Sequence, residues 1–393
     1  MRKKSIFLFF LSLVLIFLIF SIKIGLGQNS TQWDITYQIH GSGRCVIETK
    51  DGGYAIAGND DNQFLLIKLD SLGNIQWQKT YGEGTAYSLV ETNDNGYALA
   101  GTGIDFNFIK TDSQGNLEWI KHYNQSGTPF HAQSVIQTSD GGFALAGWIS
   151  NVFSSPVWDW TIKTDSNGNV QWNRTFGIRS GISHAQEIIE ETEGGYALAA
   201  NGNVSKLDPE GNIRWTTNAV VANDLVKTAD GGYLVAAGNG GTLIKLDSEG
   251  NVEWSSSYKF EGAQWSFFNS AVQSSYGGYI IVEVTYPVYN GLGWVLKVDE
   301  NGNVEGEVTF PPETGINNRI NSLIETKDGD YVFTGSKNAN NGQGSIWLTK
   351  ITLSSIPEFP SWTPFLISGL ITTFVMSIIY RQRMIRKGEN EEK

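Results

Sequence analysis

A single cysteine, Cys45, in a chain of 393 residues excludes an intramolecular disulfide framework. No HExxH, GxSxG, GxxxxGK or CxxC string occurs anywhere, so the common metalloprotease, hydrolase, nucleotide-binding and redox signatures are missing. Basic residues are also short, with 28 Lys and Arg against 40 Asp and Glu, for a net charge of −12. The ends are basic, +4 over residues 1–27 and +2 over 381–393, which leaves −18 on residues 28–380. Such a surface does not attract nucleic-acid phosphates through its bulk field, and no nucleic-acid partner is expected. No cofactor is expected either.

What the chain has in abundance is repetition. KLDSLGNIQW (68–77) returns as KTDSQGNLEW (110–119), KTDSNGNVQW (163–172), KLDPEGNIRW (206–215), KLDSEGNVEW (245–254) and KVDENGNVEG (297–306). A second element, DGGY or a near variant, places an aromatic at Tyr54, Tyr97, Phe143, Tyr196, Tyr233, Tyr279 and Tyr331. The Trp segment missing from the last cycle stands at the other end: TQWDITYQIHG (31–41) matches IQWQKTYG (75–82), as if one strand were circularly permuted.

Each cycle reads as four short strands bounded by Gly, Asn and Asp; in the second these are 86–92, 96–102, 106–112 and 116–123. Four strands per roughly 40 to 50 residues is the signature of a propeller blade. The expectation is an all-β, seven-bladed β-propeller over residues 28–353, its last blade completed by the strand near Trp33 beside those around Tyr331 and Trp347. Closing the ring removes exposed sheet edges. The DGG and DSxGN links are hairpin turns, with Gly supplying positive φ and Asp or Asn bonding its own turn. Asp247 could instead ligate calcium, but Ser248, Glu249 and Gly250 do not continue a ligand series, so the turn reading is preferred. The recurring Trp is expected to dock one blade on the next.

The KxDxxGNxxW element resembles the tryptophan-docking repeat of propellers related to the quinoprotein, PQQ-dependent dehydrogenases. The full cycle is similar to repeats of secreted archaeal and bacterial surface propellers. Quinoprotein enzymes usually carry eight blades, a vicinal disulfide and a calcium-binding acidic cluster; seven predicted blades and one Cys depart from that pattern.

At the N-terminus MRKK precedes an apolar run, Ser5 to Ile22, with small residues at Gly25 and Gly27, which reads as a signal peptide over 1–27 or a retained anchor. At the other end residues 362–380 carry no charge, and 19 residues span about 28 Å as a helix, close to a ~30 Å hydrocarbon core. RQRMIRK follows, so the basic and then acidic tail 381–393 is expected in the cytoplasm and the propeller outside, on the cell membrane. A Pro-containing spacer, 354–361, includes PEFP; with the apolar helix and basic cluster it is similar to the PEF-type sorting tails of archaeal surface proteins, which implies cleavage and re-anchoring by an archaeosortase-class protease. Asn29, Asn124, Asn173 and Asn203 are candidate glycosylation acceptors.

Function is expected away from the repeating turns. Antiparallel strands put the DGG and DSxGN turns on one face and the variable links on the other, and variable loops on a rigid scaffold commonly carry binding. These links are 149–160, 285–294, 336–347, 124–131, 259–268 and 311–319. They hold Phe130, Phe153, Trp158, Trp265, Tyr286 and Tyr289, which suit stacking on a polysaccharide or packing on a surface protein, or which pack beneath their own loops. His131 and His184 occupy matching positions, with Glu187 and Asp224 near in the repeat frame, a candidate for a transition metal, although equivalent residues in adjacent repeats also follow from repeat ancestry. Cys45 shares its position with Ser88, Ser134, Ser270 and Ser322 and reads as an inert thiol. A non-enzymatic binding propeller is the leading expectation; a carbohydrate-active or quinoprotein-like secreted enzyme is the alternative.

Overall fold

The computed structural model describes residues 31–103, 108–125, 128–151, 154–179, 185–200, 202–218, 222–237, 240–286, 291–310, 317–340, 343–352 and 356. The signal segment, the apolar span and the tail lie outside the described residues. Every regular element within them is a β-strand, and no helix there is long and apolar enough to cross a membrane.

Burial explains the strand pattern. In β2 (Tyr54–Asp60), β5 (Tyr97–Gly103), β14 (Tyr196–Ala200) and β18 (Tyr233–Ala237), five consecutive residues beginning with the aromatic are buried. A continuous buried run means both faces of the strand are covered, so these strands lie between neighbouring sheets. β20 (Val252–Ser257), at the outer edge of its sheet, alternates exposed and half-buried residues instead.

β17 (Ala222–Lys227), β18, β19 (Thr242–Leu246) and β20 form an antiparallel four-stranded meander in chain order. So do β13 (Ala185–Glu190), β14, β15 (Asn203–Leu207) and β16 (Ile213–Asn218), and likewise β21 (Trp265–Gln273), β22 (Tyr279–Tyr286), β23 (Leu292–Val298) and β24 (Val304–Phe310). β9 (Thr128–Gln137), β10 (Phe143–Asn151), β11 (Ser154–Thr164) and β12 (Val170–Arg179) repeat the arrangement, with the short β8 (Asn124–Gln125) added beside β9.

The remaining strands form one continuous sheet, because β1 (Thr31–Glu48) and β4 (Ile75–Glu91) each serve twice. β4 pairs near Trp77 with β3 (Gln63–Leu69), and from Gly84 onward with β5, which leads on to β6 (Phe108–Thr111) and β7 (Leu117–Lys121). A loop was expected between those halves. The link is too short to leave the extended path, and Gly82 and Gly84, at φ 102° and 142°, take up the change of direction. β1 pairs at Trp33–Thr36 with β27 (Gln343–Ile351), next to β26 (Tyr331–Asn340) and β25 (Asn317–Glu325), and pairs at Gly41–Glu48 with β2. The N-terminal strand therefore completes the last cycle, as its sequence match with 75–82 predicts. Two predicted loops, 149–160 and 336–347, are largely the long hairpins β10–β11 and β26–β27, where cross-strand pairing satisfies backbone groups that a loop would leave to water.

Most successive sheets are fastened in the same way along the chain. The innermost strands β1, β4, β9, β13, β17, β21 and β25 each contact the next, and β25 contacts β1. A Glu or Gln at the end of one innermost strand accepts an N–H from the preceding sheet's turn: Lys50 N–H to Glu91 at 2.7 Å, Asn93 to Gln137 at 2.8 Å, Ser139 to Glu190 at 2.8 Å, Ala229 to Gln273 at 2.7 Å and Ser275 to Glu325 at 2.9 Å. Lys327 N–H to Glu48 at 2.8 Å joins positions 279 residues apart and closes the cycle.

The recurring Trp packs edge-on against the aromatic of the next DGGY: Trp33 on Tyr54 and Trp77 on Tyr97 at 5.8 Å, Trp172 on Tyr196 at 5.7 Å, Trp215 on Tyr233 at 6.0 Å. It also covers the Gly of the next DSxGN turn. A methyl group on Gly250, at φ +84°, would stand 2.6 Å from the Trp215 ring. The turn Asp closes its own loop, Asp247 accepting from Asn251 N–H at 2.8 Å and Glu249 N–H at 3.0 Å. The turn carboxylate is thus committed to its own backbone, and the repeating Lys is committed as well. Lys245 is buried, donates to Leu246 O at 3.0 Å, and pairs with Asp230 at 2.8 Å and Glu253 at 3.0 Å. Lys68, Lys110 and Lys163 are held in the same way by Asp51, Asp94 and Asp140.

Candidate functional site

The innermost strands share one irregularity. In each, the ladder skips a residue: Arg44 in β1, Tyr87 in β4, Gln133 in β9, residue 186 in β13, Asn223 in β17, Asn269 in β21 and Asn321 in β25. A β-bulge re-aims the extra side chain out of the pleat. Here it creates a polar cavity of about 280 Å³ on the axis, lined by Arg44, Tyr87, Gln133, Asn223, Asn269 and Asn321, together with the next residue of most strands.

Those next residues form a second ring: Cys45, Ser88, Glu187, Asp224, Ser270 and Ser322 line the cavity, and Ser134 stands between Ser88 and Glu187 in the same register. Most of them bind the neighbouring strand. Ser322 accepts from Val46 N–H at 3.2 Å, Ser88 from Val135 N–H at 3.1 Å and Ser270 from Leu323 N–H at 3.3 Å. Asn223 and Asn269 donate to Phe268 O and Ile320 O at 2.8 and 2.6 Å, and Asn321 to Gly43 O at 2.7 Å.

Two of the set are carboxylic acids on adjacent strands. Ser134 donates to Glu187 at 2.8 Å, while Asp224 accepts from Leu225 N–H and Ala271 N–H, both at 2.8 Å. Removal from bulk water, then repulsion by Asp224, raises the Glu187 carboxyl above its ordinary range; loss of solvent likewise raises Asp224, against the pull of its backbone donors. Arg44 has the opposite character. Its guanidinium lies 5.6 Å over the Tyr87 ring, and its Nε is buried without a hydrogen-bond partner. Burial, and repulsion from Arg319, lower its affinity for the proton.

Of the residues singled out by sequence, Glu187 and Asp224 reach the cavity, as do Cys45 and the serines at its position, Ser88, Ser270 and Ser322. His131 stacks on Trp148 at 3.9 Å, and His184 lies outside the described residues. Among the described residues no group of His, Cys, Asp and Glu is arranged to hold a metal ion. Cys45 sits in register with the serines, and desolvation pushes its thiol up to about 12, the range of an inert group. Trp158 is half-buried and packs on the core shared by β5, β9, β10 and β11. The side chains of Phe130, Trp265 and Tyr286, and the whole of Phe153 and Tyr289, lie outside the described residues. Of the sequons, Asn124 and Asn173 are exposed, Asn203 is half-buried with its Oδ1 enclosed, and Asn29 is outside the described residues.

Sequence reasoning missed Arg44, Tyr87, Gln133, Asn223, Asn269 and Asn321 as a set. Their signal is a large polar residue before the Ser, Cys, Glu or Asp of every first strand, which registers only once a bulge at that point is known.

No family model matches the chain, and no curated protein sequence matches it. Solved structures do. The chain is similar to BBS1N in complex with ARL6DN (TM-score 0.55, 11% identity, 83% of this chain and 97% of that one). It is also similar to YCF48 bound to D1 peptide (TM-score 0.53, 13% identity, 81% and 96%). A third likeness is to the extracellular domain of the hybrid two-component system BT4673 from B. thetaiotaomicron (TM-score 0.53, 14% identity, 83% and 43%). At these identities the likeness concerns the fold alone, and it agrees with the four-stranded sheets: the chain has a β-propeller fold.

Proposed function

We propose that the chain is a seven-bladed propeller held on the outer face of a cell membrane, where it binds a protein partner without catalysing a reaction. One observation carries the binding reading: on the DGG and DSxGN face the repeating polar groups are already engaged within the protein. Asp247 is closed on its own turn and Lys245 on Asp230 and Glu253, which leaves the varied links of the opposite face for recognition. Two of the similar propellers, BBS1N and YCF48, are described with a bound polypeptide, which supports a protein rather than a polysaccharide as partner. The basic start and apolar run of 1–27, the apolar 362–380 and the basic residues after it support the membrane placement, with cleavage at PEFP as one route to the surface.

The paired acids of the cavity are the feature that would favour a hydrolase. Both oxygens of Asp224 accept backbone amides, so it is poorly placed to act as a nucleophile or base. Cross-linking on intact cells tests the reading. The full-length chain should be labelled from outside and should cross-link a protein that Trp265→Ala with Tyr289→Ala releases and Leu72→Ala, on the turn face, does not. Labelling only after lysis, or cross-links indifferent to the first pair, would overturn it.

A further inference from the structure

The charges of the axial cavity are arranged by position. Starting from β1, which bears Arg44, three steps one way around the cycle of contacts lead through β4 and β9 to β13, which bears Glu187. Three steps the other way lead through β25 and β21 to β17, which bears Asp224. The two acids are therefore the farthest members of the ring from the arginine. Arg44 and, beside it on β25, Arg319 make one positive side, close enough for their charges to repel. Among the described residues Arg44 has no carboxylate partner, and its buried Nε has no hydrogen bond. A buried donor with no acceptor costs stability unless a ligand supplies one.

We propose that this cavity binds a small zwitterion, an amino acid or dipeptide, with its carboxylate on Arg44 and its ammonium between Glu187 and Asp224. A guanidinium fork matches a carboxylate, and a pair of acids on the far wall matches an ammonium. Between the poles, Tyr87 and Gln133 on one arc and Asn269 and Asn321 on the other line the wall with side chains that suit a peptide group or methylene spacer. The serines and Asn side chains are already bonded to the wall, so the frame is preorganised and little ordering is required on binding. The site lies on the axis, apart from the loop face, and stands whatever that face binds.

Calorimetry on the full-length protein tests it, with glycine, γ-aminobutyrate and glycylglycine as probes and acetate and ethylammonium as single-charge controls. At least one zwitterion should bind, and each control should bind at least tenfold more weakly. Arg44→Gln should weaken the zwitterion at least tenfold and Arg44→Lys should restore part of that loss, while both variants remain folded, because Arg44 gives up its stacking over Tyr87 and no ion pair seen among the described residues. No binding of any zwitterion at 10 mM, controls that bind equally well, or an Arg44→Gln variant of unchanged affinity would overturn the proposal. Should Arg44→Gln fail to fold, Tyr87→Phe and Asn269→Ala replace it, and unchanged affinity in both would overturn it equally.

Discussion

At the scale of single residues, the repeat couples two residue types across a sheet boundary. Gly250 needs positive φ and must also clear the Trp215 ring, so its substitution faces two independent costs. Gly250→Ala should destabilise by about 1–3 kcal/mol from backbone strain and crowding together, and Trp215→Ala by about 3 kcal/mol. Val252, two residues on, is 54% exposed, although it belongs to the same motif. Val252→Thr should stay within about 0.5 kcal/mol, and urea denaturation of the three variants checks the ranking. Apolar identity in GNVEW misleads about burial, because the residue after the turn starts the outermost strand, with no sheet beyond it.

At the scale of elements, the pH response of stability comes from two opposed sets of carboxyls. Asp51, Asp94, Asp140 and Asp230 are each held at about 2; loss of solvent works against this, and the Lys, Thr and backbone donors of their own sheets outweigh it. In the unfolded chain they titrate near ~3.9, so unfolded protein binds more protons between the two values. Their contribution is full above about pH 4 and is lost as pH falls toward 2, modestly for each because these side chains are largely exposed. Glu283, fully buried on β22, is instead raised to about 8 by burial, and Glu187 is raised by burial and by Asp224 beside it. There the folded state binds the extra proton above an unfolded value of ~4.3, so stability falls as pH rises from about 4 to about 8. The thermal midpoint should therefore drop on both sides of mildly acidic pH, and Glu283→Gln should flatten the upper slope while leaving the lower one.

At the scale of the whole molecule, closure depends on the first described strand. Trp33–Thr36 pair with β27, Asp34 bonds Trp347 and Thr349, and Glu48 receives Lys327, so one strand spans the joint between the ends of the repeat array. Deleting residues 31–41 exposes the edge of β27 and breaks these contacts, and should yield an aggregating or unfolded product by size-exclusion chromatography. Deletion of 381–393, by contrast, should leave the propeller's unfolding unchanged. The strands, the turns, the Trp docking and the joint at Trp33 were legible in the sequence, because each recurs at a fixed offset and recurrence is a property of the chain. The fusion of strands into β1 and β4 was not, since it depends on how short links run between packed sheets.

The sequence by itself determined the repeat unit: strand-forming runs, Gly where φ must be positive, and an aromatic pair for every sheet boundary. Only the tertiary structure decided what faces the axis. Arg44, Glu187 and Asp224 stand far apart along the chain, and none belongs to a motif of its own. They share a cavity because a bulge in each innermost strand turns a polar residue inward and ring closure brings those strands around one axis. Each residue carries its charge locally; opposition across a cavity exists only in the closed ring.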